Sequence, residues 1–138
     1  MRIKNVIVLL AALAAVPSSG FTFQAENTLE VNQVNADVFE VVGRPGVMSN
    51  DYWCGAGDYV RRSLNMPWNT RIYISRELGK SDTTGKRSAV QFTMSPEKVG
   101  VTPWEGNWVS NILTLGYSMS ATGAYGECRN GYRGSFFF

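Results

Sequence analysis

The stretch SNDYWCGAGDYVRRSL, residues 49–64, decides the fold because it carries the clearest helical periodicity in the chain. Its apolar positions recur at about 100° per residue and share one side. They are Trp53, Ala56, Gly57, Val60 and Leu64, and the opposite side carries Asp51, Asp58, Arg61 and Arg62. The pattern predicts one amphipathic helix over about residues 50–64.

Both ends of this helix, and one of its contacts, can be predicted from this stretch and the residues that follow it. Ser49 or Asn50 is expected to cap the first turn. Pro67 ends the helix, because the residue before a proline avoids helical angles. Gly57 lies on the apolar side, where the missing side chain would let a neighbouring strand come close.

The segments on either side of the helix alternate apolar and polar residues, which is the period of a β-strand. Residues 29–42 are predicted to form one strand or two short ones, and residues 70–78 and 88–94 a hairpin with a long polar tip. Residues 108–121 are predicted to form the longest strand. A turn at residues 123–126 would then lead to a last short strand over residues 128–138. This order predicts an α+β fold in which the helix packs on an antiparallel sheet of four to six strands. A purely antiparallel β fold is the alternative, if Gly55 and Gly57 break the helix.

Residues 1–20, MRIKNVIVLLAALAAVPSSG, are typical of a secretory signal peptide. Two basic residues precede the apolar run Val6–Val16, which is shorter than the roughly 20 residues that span a bilayer. We therefore expect cleavage after Gly20 and no permanent membrane anchor. The expected product is one domain of residues 21–138, located in the periplasm or outside the cell, with Phe136–Phe138 packed on its core.

The two cysteines, Cys54 and Cys128, are predicted to form a disulfide, because an exported chain meets an oxidising environment. A bridge over this separation would stabilise the fold by about 4 kcal/mol in the chain-entropy model. Zinc needs about four ligands, and a nucleophilic cysteine needs a base that histidine usually supplies. Since the chain contains no histidine, we predict no metal site, no cofactor and no catalytic cysteine.

The charge of the chain is balanced overall but uneven along its length. Loss of residues 1–20 takes the 13 basic residues to 11, equal to the 11 acidic ones. Residues 59–98 nevertheless hold eight bases and only three acids. The predicted hairpin is therefore a candidate surface for an anionic partner. Its candidate binding residues are Arg71, Tyr73, Arg76, Lys80, Lys86 and Arg87.

Two tryptophans, Trp104 and Trp108, lie in an irregular segment and are candidates for stacking on a sugar or anchoring a protein. No nucleic-acid-binding motif accompanies the basic residues, so no specific nucleic-acid partner is predicted. We expect a small exported, disulfide-bridged, non-enzymatic module that binds an envelope polymer or a protein. The alternative is a histidine-free hydrolase that uses paired carboxylates on polysaccharide, with Glu77, Glu97, Glu105 and Glu127 as its candidates.

Overall fold

The computed structural model describes residues 22–133, so the predicted signal peptide and the Phe136–Phe138 tail lie outside the described residues. The strands are β1 (Phe23–Gln24), β2 (Glu30–Gln33), β3 (Phe39–Val42), β4 (Arg71–Gly79), β5 (Ala89–Thr93) and β6 (Ser118–Ser120). The helices are α1 (Ser49–Asp58), which continues as a π-helical turn over Tyr59–Ser63, a 3-10 turn at Pro96–Val99, and α2 (Ala121–Arg133). None of the helices in this part of the chain is long and apolar enough to cross a membrane.

The six strands form one sheet in the order β1-β2-β3-β5-β4-β6, and every neighbouring pair is antiparallel. The predicted hairpin is present as β4 and β5, and β5 lies between β4 and β3. The segment 29–42 forms two short strands, β2 and β3, which pair with each other. These features confirm the α+β prediction and the expected antiparallel sheet.

The apolar side of α1 lies in the core, as the periodicity predicts. Trp53 is fully buried against Phe92, with their ring centroids 5.1 Å apart, and its indole Nε1 donates a hydrogen bond to the Ile112 carbonyl at 2.8 Å. Leu64 is an exception, because it is exposed. The π-helical turn before it has more residues per turn than an α-helix, so Leu64 is rotated out of the predicted side.

Two polar details of α1 differ from the sequence-based predictions. Asp58, predicted on the solvent side, is fully buried; it accepts hydrogen bonds from Arg62 at 2.5 and 2.7 Å and from the Glu26 amide at 2.8 Å. These partners offset the cost of removing its charge from water. The N-cap is Met48 rather than Ser49 or Asn50, and the Met48 amide donates to the Asp51 carboxylate at 2.8 Å.

The prediction for the C-terminal third was wrong in its local structure. Only Ser118–Ser120 forms a strand where one was expected over residues 108–121. Helix α2 replaces the predicted turn and the part of the predicted last strand up to residue 133, and the remainder of that strand lies outside the described residues. Within residues 121–130 of α2 the buried residues are Ala121, Ala124 and Cys128, which have a helical spacing. Gly123 and Gly126 favour a turn locally, but packing of this apolar side overrides their low helix propensity.

The close approach expected at Gly57 occurs, but its partner is α2 rather than a strand. A Cβ atom at Gly57 would lie 2.8 Å from the Ala124 carbonyl carbon and closer still to the Tyr125 amide nitrogen. The predicted disulfide is also present and joins Cys54 of α1 to Cys128 of α2, with their Cα atoms 4.6 Å apart. The two helices therefore touch backbone to backbone beside a covalent link.

Substitution of Gly57 tests this helix contact. We expect Gly57→Ala to lower the free energy of unfolding by about 1–3 kcal/mol, because the added methyl group would overpack against the α2 backbone. The matched control is Gly126→Ala, since a Cβ atom at Gly126 meets no atom within 4 Å. That variant should gain up to about 1 kcal/mol from helix propensity. Urea unfolding measures both values, and equal effects would contradict the contact.

Removal of the disulfide gives a second test. The double variant Cys54→Ala/Cys128→Ala should lose about 2–5 kcal/mol of unfolding free energy, because the unfolded chain is no longer cross-linked. Oxidised protein recovered from its native compartment should show no free thiol to a labelling reagent, even after denaturation. Stoichiometric labelling of both cysteines would show that the bridge does not form there.

Candidate functional site

A groove of about 870 Å³ lies between the β3–α1 connection and the end of the β4–β5 hairpin. It is lined by residues 43–49, Tyr52, Leu78, residues 86–88 and Leu113. The Gly43 amide donates to the Ser88 carbonyl at 2.7 Å, which ties the two walls together. The volume lies within the range usual for ligand-binding sites.

The groove exposes large apolar side chains. Met48 is 69% exposed and Leu78 is 55% exposed, while Tyr52 and Leu113 are buried beneath them. Gly43 allows the backbone to pass close to the Tyr52 ring, since a Cβ atom there would lie 2.8 Å from its Cζ atom. Burial raises the pKa of the Tyr52 phenol, so its hydroxyl is neutral at pH 7. Apolar side chains exposed together in a concave surface are typical of interaction sites.

The rim of the groove is basic. Arg44, Lys86 and Arg87 line it, and its described lining contains no carboxylate. Lys86 Nζ lies 3.6 Å from Glu30 Oε2, and Arg44 donates to the Asn27 carbonyl at 3.3 Å. Arg87 forms no hydrogen bond or ion pair within residues 22–133. The rim therefore offers positive charge to a ligand in the groove.

The buried carboxylate of Glu40 holds the loop that carries Lys86 and Arg87. Glu40 lies on β3 and is fully buried. It accepts hydrogen bonds from the Ser81 hydroxyl at 2.5 Å, the Thr83 amide at 2.9 Å and the Asp82 amide at 3.2 Å. The β4–β5 loop is thereby folded onto the sheet, which fixes one wall of the groove.

These hydrogen bonds also decide the charge state of Glu40. Burial acts to raise its pKa, but the hydrogen bonds from Ser81, Thr83 and Gln91 outweigh this effect and hold the pKa below its ordinary value of 4.5. The carboxylate is therefore ionised at neutral pH. Arg76 is the nearest described cation, with Nη2 3.9 Å from Glu40 Oε2.

A Glu40→Gln substitution should destabilise the protein by about 1–3 kcal/mol at pH 7, because the amide cannot accept all of these hydrogen bonds. The pKa of Glu40 is lower in the folded protein than in the unfolded chain, so ionised Glu40 stabilises the fold above about pH 4.5. That stabilisation is lost as the pH falls from there through the folded pKa. Urea unfolding on both sides of pH 4.5 should therefore show a steeper loss for the wild type than for Glu40→Gln.

The exposed Glu105 provides a control for this pH dependence. Glu105→Gln should keep the wild-type profile, because this exposed carboxyl group forms no hydrogen bond or ion pair with the loop among the described residues. If Glu40→Gln also keeps that profile, Glu40 is not the group that links loop folding to pH.

The structure separates the predicted hairpin cations. Lys86 and Arg87 lie at the groove, and Lys80 is exposed outside its lining. Arg71, which donates to Ser118 Oγ at 2.8 Å, lies at the opposite end of β4. At about 3.3 Å per residue, it is roughly 20 Å from the groove. The two ends of the hairpin therefore cannot contact one small ligand together.

The remaining predicted residues also lie outside the groove lining. Arg76 is half-buried beside Glu40, and Tyr73 is half-buried opposite Ser118 of β6. Trp104 and Trp108 lie in the loop before β6 and are 45% and 78% exposed. The two tryptophans therefore form a separate exposed segment.

The sequence analysis identified Lys86 and Arg87 as candidates but not the other groove residues, four of which carry the geometry and charge of the groove. They are Arg44, Met48, Tyr52 and Leu78. Residues 43–46 have the composition of a turn, which gave no sign of a ligand. A large apolar residue directly beside a turn, such as Met48 or Leu78, could have indicated the groove. Such a residue stays exposed unless another part of the chain or a partner covers it.

The candidate hydrolase carboxylates do not lie in the groove either. Glu77 accepts a hydrogen bond from the Leu115 amide at 2.9 Å, and Glu127 accepts one from Asn130 at 3.1 Å. Glu97 and Glu105 are exposed. One group of potential metal ligands occurs in the described chain, formed by Glu26 and the two cysteines. Its sulfur atoms are bonded to each other, so they provide no thiolate for a metal.

Comparison with known proteins gives no independent indication of function. The chain matches no protein-family model, no curated protein and no solved structure. The geometry and charge of the groove are therefore the basis for a functional proposal.

Proposed function

We propose that this protein is a non-enzymatic binding module whose groove takes an acidic, partly apolar segment of another protein. The observation that supports the proposal is the combination of an apolar floor with a rim of three cations and no described carboxylate in the lining. A partner with aliphatic side chains would cover Met48 and Leu78, and its carboxylates would lie beside Arg44, Lys86 and Arg87.

The apolar floor favours a protein segment over an anionic polysaccharide. A polysaccharide could neutralise the rim, but its hydroxyl groups would lose water against Met48, Leu78 and Tyr52 without gaining hydrogen bonds there. Methionine suits a protein partner, because its flexible side chain adapts to different apolar shapes. The groove walls are tied by the Gly43–Ser88 hydrogen bond and by Glu40, so binding requires little ordering of this surface.

The proposed place of action is the periplasm or the cell exterior. The disulfide between the two helices suggests an oxidising environment. The signal-like residues 1–20 support export as the route to that environment. An envelope or extracellular protein is accordingly the class of partner that we propose.

A synthetic peptide of alternating Glu and Leu residues tests the groove. The variant Lys86→Gln/Arg87→Gln should bind it at least tenfold more weakly, which corresponds to about 1.4 kcal/mol. The salt dependence of binding should also flatten, because two charges of the rim are gone. The matched control Arg71→Gln/Lys80→Gln removes two cations outside the groove and should bind like the wild type. Calorimetry at two salt concentrations measures these effects.

The apolar part of the proposal has a separate readout. Met48→Ser/Leu78→Ser should lower the affinity for the Glu-Leu peptide and leave the salt dependence of binding unchanged, since no charge is altered. A peptide of Glu alone should bind more weakly than the Glu-Leu peptide. The groove would be refuted as the binding site if the wild type bound both peptides with equal affinity. It would also be refuted if the two charge variants lost equal affinity for the Glu-Leu peptide. Preference for alginate over the Glu-Leu peptide would favour a polysaccharide partner instead.

A further inference from the structure

A second concavity, of about 520 Å³, lies beside α2 and shares no residue with the groove. It is lined by Trp68, Thr122, Tyr125, Gly126 and Arg129. We refer to it as the aromatic depression. It combines two aromatic rings with a cation, which differs from the aliphatic surface of the groove.

The indole of Trp68 is fixed in place although it is 46% exposed. The Arg61 guanidinium carbon lies 4.1 Å from the indole centroid, and the Tyr125 ring lies edge-on with its centroid at 5.7 Å. Thr122 donates its amide and its hydroxyl to the Trp68 carbonyl, both at 3.1 Å. An aromatic surface held in this way loses little freedom when a ligand stacks on it.

Gly126 gives an independent indication that the depression is kept open. It lies within α2, where glycine disfavours the helix. Packing does not require it there, because a Cβ atom would meet nothing within 4 Å. This situation is opposite to that of Gly57, where the neighbouring helix excludes a side chain. The space that a side chain would fill at Gly126 belongs to the depression.

Arg129 gives the depression its charge. Its side chain is exposed and forms no hydrogen bond or ion pair with the part of the chain that the structure describes. No carboxylate belongs to the described lining. Glu26 reaches its edge, where the carboxylate accepts the Tyr125 hydroxyl at 2.6 Å. A ligand carboxylate can therefore pair with Arg129, whose planar guanidinium suits bidentate contact.

We propose that the aromatic depression binds a saccharide that carries a carboxylate. The C–H face of a pyranose ring would stack on Trp68, since aromatic faces attract the positive edges of such groups. The sugar carboxylate would pair with Arg129. An alkyl chain would leave this cation unused, and the open shape would leave most of the chain in water. The site is separate from the groove, so it does not depend on the function proposed above.

Oligosaccharides of galacturonate and of glucuronate are the probes, and galactose and glucose oligosaccharides of equal length are their neutral counterparts. Calorimetry should show that the wild type binds at least one acidic probe and prefers it to its neutral counterpart. Arg129→Gln should reduce this preference at least fivefold, whereas the exposed Lys98→Gln should not change it. Trp68→Ala should lower the affinity for acidic and for neutral oligosaccharides alike, at least tenfold.

A variant that fills the depression distinguishes loss of binding from loss of folding. Gly126→Gln places a side chain in the open space and should abolish binding, with a melting temperature at or above that of the wild type. Its control, Gly123→Gln, lies on the same helix outside the lining and should bind like the wild type. The groove variant Lys86→Gln/Arg87→Gln should also keep saccharide binding.

Three results would overturn the proposal. One is no binding of either acidic probe at millimolar concentration. Another is equal binding by Gly126→Gln and Gly123→Gln. The third is a wild-type dimer in sedimentation that Gly126→Gln converts to a monomer, which would assign the depression to contact with a second copy of this chain.

Discussion

The contact between α1 and α2 at Gly57 is the constraint on which the rest of the structure depends. The two backbones can touch because Gly57 has no side chain, and the Cys54–Cys128 bridge holds them there. The start of α1 forms one wall of the groove, and α2 carries most of the aromatic depression. Each concavity therefore includes residues of this helix pair, and the Gly43–Ser88 hydrogen bond and Glu40 complete the groove.

A buried charge positions the second wall of the groove. A carboxylate in the interior costs free energy unless its hydrogen bonds are satisfied, and the β4–β5 loop supplies the donors to Glu40. The loop would otherwise be a flexible polar segment of the kind common at hairpin tips. The hydrogen bonds to Glu40 thus hold a polar loop in one conformation on the sheet, and this loop carries Lys86 and Arg87.

The two concavities place positive charge beside different apolar surfaces. The groove offers aliphatic side chains that can follow the shape of a partner, whereas the depression offers a fixed aromatic ring. The balanced total charge of residues 21–138 hides this arrangement, because acids such as Asp58 and Glu40 are buried and do not face a ligand. Local charge on the surface, rather than the total, determines which partners each site can attract.

The sequence by itself determined the α1 helix, the β4–β5 hairpin, the antiparallel sheet and the pairing of the two cysteines. These features depend on local periodicity and on a cysteine count that allows one bridge. It did not reveal α2, because Gly123 and Gly126 favour a turn until tertiary packing buries Ala121 and Ala124. It also did not reveal that Arg44, Met48, Leu78 and Trp68 line concavities, since their surroundings come from distant parts of the chain. Only the tertiary structure decides such sites, because a concave surface is formed by contacts between segments and no single segment contains its pattern.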